Sequence, residues 1–298
     1  GVSWQRVLVA GAFAALALLT KQTLAAAILA GGLWLFEQDR RKAILFAAVA
    51  GVPSLVQPFV LSRYSLNEME GLAATLKKKG YDAGFFHGAP NGSMGFDAIT
   101  HMLSIKRYFG QNEYGRKEDS DGFLGIPDEL FLNYCAKNFG QLKEPFFASV
   151  FTLSSHHPYI LSKKYENSFK GGPNPLYKCI EYSDFSLREF FREASRQPWY
   201  KNTLFVLTAD HSLPSNDHKE YITSTGLFSI PVIFYQPNSN LVGMDSTLMQ
   251  QIDIFPTVMG YLKYDAPFFA FGSDRFSPTE HPFTINYVNG CYQFMEGD

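Results

Sequence analysis

Apolar residues are spread unevenly along the chain. Residues 7–62 are almost entirely hydrophobic, whereas the remainder alternates short apolar runs with polar segments. Within the first part, 7–20 and 24–36 carry no charge and are separated by Lys21-Gln22. The polar stretch Glu37-Gln38-Asp39-Arg40-Arg41-Lys42 follows, and 43–62 is again uncharged. A bilayer-spanning helix needs about 20 apolar residues. The first two runs therefore fit one long span interrupted at Lys21, or a tight pair of short helices. Arg40, Arg41 and Lys42 favour a cytoplasmic loop there. No small-residue cleavage site marks a secretory signal peptide. The third run holds Pro53 and Pro58 and fits a buried lead-in to the following domain equally well. The expected organisation is a hydrophobic membrane-type segment over 1–57 and an α/β domain over 58–298.

From Ser62 onward, helix and strand signals take turns. Ser65 and Glu68 have capping-box spacing, and basic residues with Gly80 close that helix. A strand follows over 81–86. Residues 127–142 read as a helix with Pro127 at its first turn. Next come a strand at 145–152, a helix at 180–197, a strand at 203–208, a strand at 230–235 and a helix at 246–262. Residues 283–294 contain Asn289-Gly290, a hairpin signal. Such alternation predicts a mostly parallel sheet flanked by helices. There is no internal repeat and no low-complexity tract.

Three of these strand runs end at histidine. Tyr81-Asp82-Ala83-Gly84-Phe85-Phe86 leads to His87, Phe151-Thr152-Leu153-Ser154-Ser155 to His156 and His157, and Thr203-Leu204-Phe205-Val206-Leu207-Thr208-Ala209 to Asp210 and His211. Four of the seven histidines therefore follow strands directly. In an open α/β sheet, ligands collect at the carboxyl ends of strands. Asp beside His offers a divalent cation one hard oxygen and one nitrogen; a turn cap with a surface histidine is the plain alternative. His157, one residue past His156, points elsewhere and reads as structural. His218 lies in a polar loop, and Tyr182 and Asp184 fall on a predicted helix with a solvated face as the default.

Composition changes little. A formal net charge of −2 gives no nucleic-acid surface. The 18% charged and 16% aromatic fractions reflect the apolar first part and a core rich in phenylalanine. Three widely spaced cysteines make no metal motif and allow at most one internal disulfide.

Several segments together resemble the lipoteichoic acid synthase branch of the sulfatase and alkaline phosphatase superfamily over about 50–280. They are Pro58-Phe59-Val60-Leu61-Ser62, Phe86-His87-Gly88-Ala89-Pro90-Asn91-Gly92-Ser93-Met94-Gly95-Phe96-Asp97, Phe151-Thr152-Leu153-Ser154-Ser155-His156-His157-Pro158-Tyr159, Thr208-Ala209-Asp210-His211, Gln251-Ile252-Asp253-Ile254-Phe255-Pro256-Thr257 and Phe271-Gly272-Ser273-Asp274. The resemblance implies a metal-dependent phosphotransferase or phosphodiesterase outside the cytoplasmic membrane. It implies one divalent ion, manganese before magnesium, calcium or zinc, held by a Glu, a Thr nucleophile and an Asp–His pair. The pair maps onto Asp210 and His211. The substrate-binding histidines map onto His87 and His156, facing the oxygens of a phosphate or sulfate ester, lipid-linked or free.

The chain also departs from that pattern. After His87 the synthases place an acid, a Trp and an Arg where this chain has Ala89, Met94 and Phe96, which leaves Asn91 and Ser93 as the polar contacts there. Asn91-Gly92-Ser93 also matches a glycosylation sequon, with a tight phosphate-side turn the preferred reading. The family's Glu ligand and Thr nucleophile lie upstream, where this chain is apolar and resembles part of a polytopic membrane glycosyltransferase. Thr20 and Thr23 are the only threonines before residue 61, and no Cys-x-Pro-x-Arg nucleophile motif exists. The catalytic nucleophile is therefore not identified. Three alternatives stand: a membrane-anchored phosphoryl-transfer or sulfatase-like enzyme, a fusion or fragment that binds at most an anion, and a glycosyltransferase resting on 1–45.

Overall fold

The computed structural model describes residues 22–24, 46–53, 67, 69–212, 217–277, 281–288 and 291–297. The apolar runs at 7–20 and 25–36, the cap residues Ser65 and Glu68, Thr20 and the turn Asn289-Gly290 lie outside them. Among the described residues no helix is long and apolar enough to cross a membrane.

Six strands form one sheet: β1 (Gln22–Leu24), β2 (Asp82–His87), β3 (Arg107–Phe109), β4 (Phe146–Phe151), β5 (Phe205–Ala209) and β6 (Val232–Tyr235), in the order β3-β2-β4-β1-β5-β6. β2 runs parallel to β3 and to β4. β1 is antiparallel to both β4 and β5, so β5 runs with β4. β6 turns back against β5. Four strands thus share one direction, and the carboxyl ends of β2, β4 and β5 meet on one rim. β6 departs from the parallel expectation for a simple reason. A parallel return needs a crossover of a dozen or more residues, usually helical. Between β5 and β6 the described chain contains only the 3₁₀ turns Lys219–Tyr221 and Gly226–Phe228. β1 has no counterpart among the strands expected from the sequence, and Leu24, expected to begin a membrane run, lies inside the sheet.

Strand side chains alternate between two helical layers. Phe85, Phe147, Phe151 and Val206 face a cluster built by α1 (Leu72–Lys77), α2 (Phe96–Met102) and α6 (Ile254–Tyr261). Phe86, Val150, Phe205 and Leu207 face α4 (Asp128–Asn138) and α5 (Leu176–Ala194), which pack side by side. A short helix, α3 (Gln111–Tyr114), follows β3. β5 is buried along its whole length, as a strand covered on both faces must be. At about 25 cal/mol per Å², each fully buried Phe contributes roughly 2 kcal/mol before entropy is counted.

Residues 46–53 join this core. Phe46–Ala50 forms a π-helical turn, and Ala47 to Ala50 are at most 1% exposed. Gly71 explains why α1 starts at Leu72. A Cβ at 71 would stand 2.5 Å from the Val49 carbonyl oxygen, so only glycine lets the two backbones touch. α6 is likewise shorter than the 246–262 pattern predicts, because Asp253 accepts the Gln250 N–H at 2.7 Å and fixes the start of the 3₁₀ turn Gln251–Asp253. The carboxyl end of the chain is a separate hairpin, β7 (Phe283–Val288) with β8 (Cys291–Glu296).

Candidate functional site

The shared rim receives Asp210 and His211 directly after β5. Asp210 is 1% exposed. Its Oδ1 accepts the His211 backbone N–H at 3.1 Å, and its Oδ2 lies 3.5 Å from His211 Nε2. His211 Nδ1 is 2.8 Å from the Ser212 carbonyl oxygen, which can only accept, so Nδ1 carries the proton. Nε2 is the nitrogen on the carboxylate side. Ser212 Oγ donates to Leu227 O at 2.8 Å, and Gln251 Nε2 donates to Ala209 O at 3.1 Å. The pair is thus clamped from the loop on one side and from the start of α6 on the other.

His156 belongs to the loop after β4. It is half-buried, with Nδ1 donating to His157 O at 2.5 Å. His157 is exposed and stacks edge-on with Tyr159. A residue given no role by sequence reading holds this loop. Asp128, at the start of α4, is buried and accepts the Leu153 N–H at 2.8 Å and the Ser154 N–H at 3.0 Å. Its own N–H donates to Ser154 Oγ at 2.9 Å. Burial pushes its carboxyl up to about 6 against the pull of the Leu153 and Ser154 N–H groups and the Ser154 hydroxyl. Tyr182 lies in this anchor and not on a solvated face: its hydroxyl accepts the Glu129 N–H at 3.2 Å. Asp184 is exposed.

His87 ends β2 but turns inward. It is fully buried, its ring edge-on to Phe96 and Phe151, with Nδ1 donating to Phe151 O at 2.9 Å. It therefore stands behind the rim and braces β2 against β4. Asn91 is also engaged structurally. Its Nδ2 donates to Glu113 Oε2 at 2.8 Å and its Oδ1 accepts the Asn112 N–H at 3.2 Å, which ties the 89–95 turn to α3. Ser93 opens the 3₁₀ turn Ser93–Gly95, its N–H donating to Pro90 O at 3.0 Å. A tight turn is present there, with Gly92 in the left-handed region at φ 81°. His218 sits in the loop past β5, 3.9 Å from Glu220. Thr23 lies in β1, its backbone opposite Phe151 and Thr208.

The quoted segments around 251 and 271 fold into one knot. Arg275 Nε and Nη2 donate to Asp253 Oδ2 at 2.9 and 2.8 Å, and Asp253 Oδ1 accepts the Ser273 N–H at 2.8 Å. Both side chains are buried. Their partners are 22 positions apart, so no local pattern announces the pair.

Structural cation sites take three or more protein donors. Among the described residues, no group of three or more His, Cys, Asp or Glu side chains is arranged to hold a metal ion. Asp210 and His211 offer two such side chains, one short of that minimum.

The fold and the sequence both have counterparts among known proteins. The sulfatase family pattern matches residues 43–264. Lipoteichoic acid synthase 1 of Bacillus subtilis is 26% identical over 244 residues, covering 76% of this chain and 38% of the synthase. The chain thus spans about two fifths of the length of the curated relatives it matches. The structure of the lipoteichoic acid synthase LtaP from Listeria monocytogenes superposes with a TM-score of 0.74 at 16% identity, over 94% of this chain and 74% of that one. An alkaline phosphatase superfamily protein from Vibrio parahaemolyticus gives 0.74 at 21% identity, over 93% and 67%. At these identities the structural likeness speaks for the fold.

Proposed function

Because this chain belongs to the sulfatase family, we propose that it carries part of a centre that transfers or hydrolyses anionic esters of the cell envelope, with a phosphoglycerol-type phosphoryl group as the favoured cargo. The observation behind the reading is the pair after β5: a buried carboxylate whose Oδ2 lies 3.5 Å from the Nε2 of the neighbouring imidazole. A divalent cation, Mn²⁺ ahead of Mg²⁺, Ca²⁺ or Zn²⁺, is the group such a pair serves. His156 supplies an imidazole on the same rim for the ester oxygens. The apolar run at 7–20 attaches the chain to a membrane, with the α/β domain on the extracytoplasmic side. A second reading, an anion-binding domain without turnover, is favoured by one observation: the described residues offer two metal donors where three are needed.

Calorimetric titration of the chain with MnCl₂, alongside turnover of bis(p-nitrophenyl) phosphate, separates the two. Saturable Mn²⁺ binding that disappears in Asp210→Ala, together with Mn²⁺-dependent cleavage, is expected of the enzyme. Binding without cleavage leaves the second reading. An Asp210→Ala variant that binds Mn²⁺ as the parent does refutes the role given to the pair.

A further inference from the structure

His156 belongs to a long connection that the first turn of α4 holds at two points. The chain leaves β4 at Phe151 and enters α5 only at Leu176. At the near end, Leu153 O accepts the His156 N–H at 2.9 Å, which closes a turn with the imidazole at its fourth position. The N–H groups of the first two residues of that turn, Leu153 and Ser154, go to the two oxygens of Asp128 at 2.8 and 3.0 Å. Ser154 Oγ in return accepts the Asp128 N–H at 2.9 Å. Glu129 holds the far end. Its Oε1 accepts Lys164 Nζ at 3.4 Å, and its N–H donates to the hydroxyl of Tyr182, whose ring packs on Tyr165. Just before them, the Ile126 N–H donates to Gly88 O at 2.8 Å. Residues 126–129 therefore tie the exits of β2 and β4 to one helix start.

A carboxylate is the group that meets this demand. Two successive buried N–H groups need two acceptors, and one left unpaired is costly. Asparagine brings one acceptor and turns a donor toward the second N–H, and serine brings a single oxygen. Burying a charge is itself unfavourable, so packing alone would favour an apolar side chain at 128. The base under the turn is firm, because Phe131, Leu132, Cys135 and Ala136 of α4 are buried in the core. Asp128 is 2% exposed, so it acts on a ligand only through the loop it holds.

We propose that Asp128 is a positioning residue of the ester site: by accepting the Leu153 and Ser154 N–H groups it sets where the His156 imidazole stands on the rim. The proposal rests on the reading of His156 as a ligand of ester oxygens, and the experiment keeps the two apart. Asp128→Ala removes both acceptors; Asp128→Asn removes one and keeps the shape of the side chain, so that a folded variant is available. Imidazole signals of the full chain are followed by NMR, that of His156 being assigned by its loss in His156→Ala, and inorganic phosphate affinity is measured by calorimetry. The expected result in Asp128→Asn is a displaced His156 signal, an unmoved signal from His101 on α2, and phosphate binding weakened by up to the about tenfold loss expected of His156→Ala. In the His156→Ala background, Asp128→Asn is expected to weaken phosphate no further while still lowering the urea midpoint, a split that a merely structural role would not produce. The proposal alone is overturned if the His156 signal stays in place in folded Asp128→Asn, or if that substitution weakens phosphate equally with and without His156. If phosphate binds no more weakly to His156→Ala than to the parent, the ester-site reading of His156 fails and takes the proposal with it.

Discussion

Asp128 sets burial against hydrogen bonding within one side chain, and replacing it with asparagine decides between them. The carboxyl is 2% exposed, which disfavours charge, while two backbone N–H groups and Ser154 favour it. Burial is the larger influence, holding the group at about 6 instead of its ordinary 3.8. At about 1.4 kcal/mol per pH unit, that interval corresponds to ~3 kcal/mol. The folded state keeps this proton to a higher pH than the unfolded chain does. The associated stability is therefore fully present below pH 3.8 and is lost as pH rises through about 6. Asp128→Asn cannot titrate. Its amide also turns a donor toward one of the two loop N–H groups, a cost of about 1–3 kcal/mol that does not vary with pH. Urea unfolding of both proteins from about pH 3.5 to 7 isolates the effect. The stability difference, parent minus variant, is expected to fall by ~3 kcal/mol across that range. A flat difference, or one that rises with pH, would show that the loop N–H groups outweigh burial.

Three further outcomes follow from the hydrogen-bond geometry. Asp253→Ala leaves the Arg275 guanidinium buried without its carboxylate and should cost about 3–5 kcal/mol in urea unfolding. Arg275→Met should cost less, because Ser273 and Gln250 still donate to Asp253; the double variant should reveal a coupling of about 1–3 kcal/mol, and strict additivity would refute the pairing. Gly272→Ala drives a Cβ into the Ile252 carbonyl oxygen and should lower stability by about 1–3 kcal/mol, whereas an unchanged midpoint would show that the backbones are not packed there. Asn91→Ala releases Glu113 and Asn112 and should cost about 1 kcal/mol while leaving inorganic phosphate affinity untouched; weaker phosphate binding at unchanged stability would return Asn91 to the ester site.

The sequence signals that survived are those carried by short-range physics. β2, β4 and β5 are apolar runs bounded by polar residues, and each ends within two residues of where its pattern ends. α4 and α5 carry helical periodicity and start within a few residues of the predicted positions. Burial direction was less legible. His87 is the last residue of β2 and packs edge-on to Phe96 in the layer of Phe85, whereas Asp210 stands just past β5 on the same face of the sheet, so alternation alone does not tell the two apart. Nor does a single sequence reveal partners far apart along the chain. Asp128 with Leu153 and Ser154, Gln251 with Ala209, and Asp253 with Arg275 are separated by 25, 26, 42 and 22 positions. Those are the contacts that place the loop of His156 and the clamp on Asp210. β1 escaped notice because three residues flanked by long apolar stretches carry no strand period of their own.

Asp210 follows β5 where that strand flanks β1. A cation on Asp210 and His211 needs at least one more donor. Asp253 is already spent on Arg275, Ser273 and Gln250. On the β4 side, Asp128 is sealed into its own loop anchor. The described acids of the neighbouring elements are therefore committed elsewhere. A third donor would have to arrive with an element not already bonded into the rim, at the carboxyl end of the interval where β1 now runs.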